Sequence, residues 1–137
     1  MRSMIPDKSI LVRKLRIPTA NGGIPALVLS PQDAPANATG ALWLHGGGYA
    51  VGMKEMVHMS RAVGLVKKFG AVVLSPGYRL SPQAPYPAAA DDCWAALLFL
   101  RENAAARNRV GSLRCAGAWI GCRSVCDPCL HYRETVF

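Results

Sequence analysis

The sequence predicts an α/β fold, the N-terminal portion of a mostly parallel sheet with flanking helices. Three observations predict it. Ala41 to Leu44 and Ala71 to Leu74 are short continuous apolar runs, as expected of strands buried on both faces. Between them Met56, Met59, Val63, Val66 and Phe69 recur at helical spacing. Strand, helix and strand in that order imply a crossover connection and a parallel pair. Beyond the second run, Cys93, Trp94, Leu97, Leu98 and Phe99 give a further helical pattern a broad apolar face with which to cover the sheet.

The remaining elements follow in chain order. Ser9 to Arg16 is a β-leaning run ended by Pro18, Asn21-Gly22-Gly23 is a turn signal, and Ile24 to Leu29 is a second strand. Together they read as an antiparallel hairpin. Gln32 to Asn37 is a surface connection. The helix predicted over Met56 to Phe69 ends at Gly70, a residue suited to a C-cap. The stretch from Pro76 to Pro87 holds four prolines and is one of the least helical in the chain. Pro87 then starts a helix running to about Ala106, with Asp91 and Asp92 placed to interact with the positive end of its dipole. From Arg107 onward periodicity fades and no strand or helix is read. The chain therefore divides into residues 1–106 and an atypical Cys/Arg-rich tail, residues 107–137.

At 137 residues the chain fits one modest domain, where sheet-based α/β enzymes commonly need about 200 or more. An apolar fraction of 51% with 18% charged residues is that of a core-forming chain, not a disordered one. The net charge of +8 is scattered, with no run longer than the pairs Arg13-Lys14 and Lys67-Lys68. Without a basic stripe interleaved with aromatics, nucleic acid is not an expected partner. No secretory leader is read at the N-terminus and no apolar stretch approaches the roughly 18 residues of a membrane span. The expected location is cytoplasmic.

The chemistry is concentrated in His45-Gly46-Gly47-Gly48-Tyr49, which follows the first buried run directly. Three glycines allow a sharp turn and close backbone approach to a ligand. A strand that delivers such a turn can aim backbone N–H groups at one point, which is what stabilising a developing oxyanion in acyl transfer requires. A phosphate loop fits less well, since neither Gly-x-x-x-x-Gly-Lys-Ser/Thr nor Gly-x-Gly-x-x-Gly occurs here.

Two blocks, Leu42-Trp43-Leu44-His45-Gly46-Gly47-Gly48-Tyr49 with Gly52, and Val72-Val73-Leu74-Ser75-Pro76-Gly77-Tyr78-Arg79-Leu80-Ser81-Pro82 continuing through Pro85-Tyr86-Pro87-Ala88-Ala89 and Asp91-Asp92-Cys93, resemble the hormone-sensitive-lipase-like branch of the α/β-hydrolases. The resemblance covers about residues 10 to 106. It implies a serine carboxylic ester hydrolase acting on small-molecule esters without a cofactor. It also implies that Gly47 and Gly48 donate to the oxyanion, that Gly46 shapes the turn, that His45 braces the loop without being the catalytic base, and that Tyr49 borders the acyl pocket. Gly77 stands where that family carries Asp, which removes a hydrogen-bond acceptor. No Gly-x-Ser-x-Gly nucleophile elbow occurs, and the acid and histidine that follow it in that family have no counterpart. No catalytic residue is identifiable, and half of such a sheet is expected to leave an edge open to self-association.

The tail admits two readings. Residues Arg107 to Leu113 can be encoded by letters that spell Gly-Ile-Gly-Ser-Asp-Arg one base later, so the tail reads as an out-of-frame continuation of a hydrolase gene. Alternatively Cys122, Cys126, Cys129 and His131, with Cys115 upstream, offer soft ligands for zinc in a non-catalytic binding module. Their spacing lacks the paired Cys-x2-Cys of a strong zinc signature. Other features have plainer readings. His58 and Ser60, two apart on one helix, point to different sides. Met53, Met56 and Met59 read as core or lid filler, and Cys93 as a small buried hydrophobe.

Overall fold

The computed structural model describes residues 8–35, 38–107 and 110–117, with residues 104–107 and 110–117 described by their backbone. Among the described residues five strands form one sheet: β1 (Ile10–Ile17), β2 (Ile24–Pro31), β3 (Ala38–Leu44), β4 (Val72–Pro76) and β5 (Val110–Gly117). Their order is β1-β2-β4-β3-β5. The hairpin β1–β2 pairs antiparallel, from Ile10 opposite Pro31 to Ile17 opposite Ile24, with Asn21-Gly22-Gly23 in the turn. Strand β2 then pairs antiparallel with β4, while β3 lies parallel to β4 and to β5. The sheet is therefore mixed, with its parallel part around β3.

Each strand sends alternate side chains to opposite faces, and the two faces carry separate cores. On one face Ile17, Ile24, Ala26, Leu42, Leu44 and Leu74 pack with Ala89, Cys93, Ala96 and Leu100 of α2 (Ala88–Arg107). On the other, Leu27, Leu29, Ala41 and Val73 pack with Ala62 and Val66 of α1 (Ala62–Phe69) and with Val57. Helices on both faces explain why β3 and β4 read as unbroken apolar runs. Fully burying a leucine such as Leu42 or Leu74 contributes about 1.5–3 kcal/mol.

The stretch predicted as one helix over Met56 to Phe69 is two elements. A 3₁₀ turn spans Lys54–Met59 and α1 begins at Ala62. Ser60 makes the break: its hydroxyl donates to the Val57 carbonyl at 2.7 Å and accepts from the Ala62 N–H at 3.1 Å. A short hydroxyl side chain competes in this way with the helical backbone bonds. Gly70 ends α1 in the left-handed conformation, its N–H returning to Val66. Met53, Met56 and Met59 are exposed and fill no core among the described residues.

Residues 110–117, where no regular element is expected from the sequence, form β5 beside β3. Parallel pairing along β3 orders a segment whose own apolar pattern is weak. No helix among the described residues is long and apolar enough to cross a membrane. Burial pushes the Cys93 thiol up to about 12, with the Asp92 charge adding to the effect. Thiolate is the reactive form, so Cys93 is expected to resist iodoacetamide at pH 8 in the folded chain and to react once denatured. Peptide mapping by mass spectrometry checks this; equal labelling in both states would refute it.

Candidate functional site

Strand β3 ends at Leu44 and releases the chain into the glycine turn. His45 is buried, Gly46 is half-buried, and Gly47 and Gly48 are exposed. The backbone runs through three successive positive φ values, Gly47 at 126°, Gly48 at 60° and Tyr49 at 64°. The N–H groups of Ala50 and Val51 fold back to the Gly47 carbonyl at 3.1 and 3.2 Å. That closes a tight turn, and an added Cβ at Gly47 would stand 1.8 Å from the Val51 carbonyl oxygen. Among the described residues, no acceptor takes the N–H of Gly47 or Gly48. A Cβ at Gly52 would lie 2.4 Å from His45 Nδ1 and 2.5 Å from the Gly46 oxygen, so the turn also closes against its own base.

That base is His45 and Tyr78, 33 residues apart in sequence. Their rings stack at 4.2 Å with 10° between planes. The Tyr78 hydroxyl donates to the His45 carbonyl at 2.7 Å. His45 Nδ1 lies 3.0 Å from the Gly46 carbonyl oxygen and 3.1 Å from Tyr78 Oη. A carbonyl only accepts, and the single phenol hydrogen is spent on the His45 carbonyl, so the network assigns the proton to Nδ1. Burial holds the imidazole below its ordinary value, against smaller opposing effects of the Gly46 carbonyl and the Glu55 charge. A neutral imidazole therefore sits under the turn. Burial also raises the Tyr78 phenol, keeping its donor hydrogen.

The segment after β4 reaches the loop a second time. The Ser81 N–H donates to the Tyr49 carbonyl at 2.8 Å, and the Tyr49 ring meets Tyr78 edge-on at 5.9 Å. Arg79 fastens this segment to α2: its Nε and backbone N–H both donate to Asp92 Oδ2, and its Nη2 to Oδ1, each at 2.9 Å. Asp92 is 1% exposed and is thus an ion-pair partner, not the helix-end charge read from sequence. Asp91 remains in the first turn of α2. Gly77, where Asp was expected, donates its N–H to the Pro25 carbonyl at 2.7 Å beside the β2–β4 pairing.

The structure thus gathers His45, Gly46, Gly47, Gly48 and Tyr49 in one turn, and adds Tyr78, Arg79 and Ser81, for which the sequence suggests no individual role, with Asp92 as the partner of Arg79. The second sequence block was the available signal. Strand β5 also arrives here, with Gly117 opposite Leu44. In sequence, Gly117-Ala118-Trp119-Ile120-Gly121 has the glycine spacing of a nucleophile elbow with Trp119 in the serine's place. No group of three His, Cys, Asp or Glu able to hold a metal occurs among the described residues. Cys122, Cys126, Cys129 and His131 lie outside them.

A sheet covered by helices on both faces, with a parallel strand opening into such a turn, fits the α/β-hydrolase fold. The chain belongs to the α/β-hydrolase fold family, whose model matches residues 41–118. It is 41% identical over 85 residues to carboxylesterase NlhH of Mycobacterium tuberculosis, covering 60% of this chain and 25% of that protein. It is 32% identical over 89 residues to the hormone-sensitive lipase of Bos taurus, covering 65% and 12%. A solved esterase of the archaeon Pyrobaculum calidifontis superposes with a TM-score of 0.77 at 30% identity, covering 91% of this chain and 40% of that one. The chain therefore spans about a quarter of the length of the carboxylesterase it matches.

Proposed function

We propose that the glycine turn is the oxyanion hole of a carboxylic ester hydrolase, with the N–H groups of Gly47 and Gly48 as donors. Gly46 shapes the turn, His45 braces it as a neutral imidazole, and Tyr49 borders the acyl side. The observation that carries the reading is that the N–H groups of Gly47 and Gly48 meet no acceptor among the described residues, in a turn of consecutive positive φ at the end of β3. When a nucleophile's oxygen attacks an ester carbonyl, the C=O π electrons move onto oxygen and the two N–H groups receive that charge. Removing one such donor in a working enzyme costs about 10²–10³-fold in kcat.

The rest of the reaction needs a serine nucleophile, a histidine base and a carboxylate to orient it. None is identified in this sequence, so the chain by itself is proposed to be inactive. The expected result is that the purified 137-residue chain hydrolyses p-nitrophenyl butyrate no faster than buffer does. Turnover above that of buffer would overturn the inactivity. For the donors themselves, sodium butyrate is titrated into ¹⁵N-labelled chain. Shifts concentrated at the Gly47 and Gly48 amides support them, and a flat response there removes them.

A further inference from the structure

We propose that residues 78–81 are a two-point clamp on the glycine turn and that Tyr78 is its positioning residue. The turn is gripped on both sides of its glycines by this one segment. Before them, the Tyr78 hydroxyl bridges the His45 carbonyl at 2.7 Å and the imidazole Nδ1 at 3.1 Å, with the rings stacked. After them, the Ser81 N–H holds the Tyr49 carbonyl at 2.8 Å. The clamp is itself fixed to α2, because Asp92 takes the backbone N–H of Arg79 together with two guanidinium donors. Two sequence blocks some 30 residues apart therefore form one mechanical unit.

The hydroxyl does more than fill space. Its hydrogen orients the peptide carbonyl of His45, and with it the peptide plane that leads into Gly46. Its oxygen accepts the Nδ1 proton, selecting one tautomer of a buried imidazole. That tautomer lets the same proton serve the Gly46 carbonyl at 3.0 Å. The chain is thereby held at His45 before Gly47 and Gly48 and at Tyr49 after them. The functional meaning of the clamp rests on the oxyanion reading; its existence does not.

Tyr78→Phe keeps the ring and removes the hydroxyl. In the unmodified chain, ¹⁵N spectra of the imidazole are expected to show the Nδ1–H form of neutral His45. The Nε2–H form there would overturn the proposal without any variant. In Tyr78→Phe the Nδ1–H population is expected to fall. The amides of Ala50 and Val51, which close the turn on Gly47, should exchange roughly tenfold faster, the effect of losing one supporting hydrogen bond. The Gly70 amide, held at the far end of α1, should not change. An unaltered His45 tautomer with unaltered Ala50 and Val51 exchange overturns the clamp. Faster exchange at Gly70 by the same factor also overturns it, since Tyr78 would then act on the fold as a whole. Sodium butyrate separates this from the oxyanion reading. If wild-type Gly47 and Gly48 ignore butyrate while Tyr78→Phe still loosens the turn, the clamp stands and the donor assignment falls.

Discussion

Gly47→Ala is expected to cost far more than Gly48→Ala, although the two glycines are adjacent and both exposed. At Gly47 the backbone has φ of 126°, and an added Cβ would meet the Val51 carbonyl oxygen at 1.8 Å and its carbon at 2.6 Å. Real Cβ atoms do not approach that closely, so the 47–51 turn must open. Opening forfeits the bonds from Ala50 and Val51 to the Gly47 carbonyl. The strained conformation alone costs an alanine about 1–3 kcal/mol. At Gly48 φ is 60° and an added Cβ meets nothing within 4 Å. There alanine carries only the left-handed penalty, about 1–2 kcal/mol. Urea unfolding followed by circular dichroism ranks the two variants. Equal losses would mean that the turn already opens in solution, and the geometry of its donors would go with it.

The same turn shows where sequence reasoning ends. The glycine run after a buried strand was legible as a sharp turn, because glycine readily takes the positive φ found at Gly47 and Gly48. The position of Tyr49 at φ of 64° was not, since a bulky aromatic residue is disfavoured there. Its conformation is imposed from outside, by the Ser81 N–H on its carbonyl and by the edge of Tyr78. Both contacts come from a segment whose prolines announce only that it is not helical. Periodicity does not say what such a segment touches. Tyr78 and Arg79 were visible as part of a resemblance, but their partners His45 and Asp92 are set by folding and not by spacing.

Regular elements were more legible where local pattern and tertiary demand agree. The hairpin at Asn21-Gly22-Gly23, the buried runs of β3 and β4, the end of α1 at Gly70 and the long α2 all obey local rules. Two departures have local and non-local causes respectively. Ser60 splits the helix expected over Met56 to Phe69 by taking the Val57 carbonyl for its own hydroxyl. Strand β5 exists because β3 offers it an unpaired parallel edge, and a sequence such as Val-Gly-Ser-Leu-Arg-Cys-Ala-Gly carries little of that information. Pairing partners, unlike periodicity, are a property of the assembled sheet.

The carboxylates at the start of α2 give the second large effect. If both merely complemented the helix dipole, Asp91→Ala and Asp92→Ala would each cost about 0.3–1 kcal/mol. The structure separates them. Asp91 is exposed in the first turn, whereas Asp92 is 1% exposed and accepts three bonds from Arg79. The Arg79 side chain is 31% exposed, so its guanidinium recovers water when the carboxylate is removed. Among the described residues, the Arg79 backbone N–H has Asp92 Oδ2 as its acceptor. A hydrogen bond to a charged group contributes about 1.5–3 kcal/mol, and that range is the expected loss for Asp92→Ala. Asp92→Asn should fall between wild type and alanine, because one side-chain oxygen still accepts from that N–H while its amide now faces guanidinium donors. Denaturant midpoints of the three variants decide the matter. Asp92→Ala no worse than Asp91→Ala would return both residues to the role of helix-end charges. It would also detach the 78–81 segment from α2, leaving the glycine turn without its outer anchor.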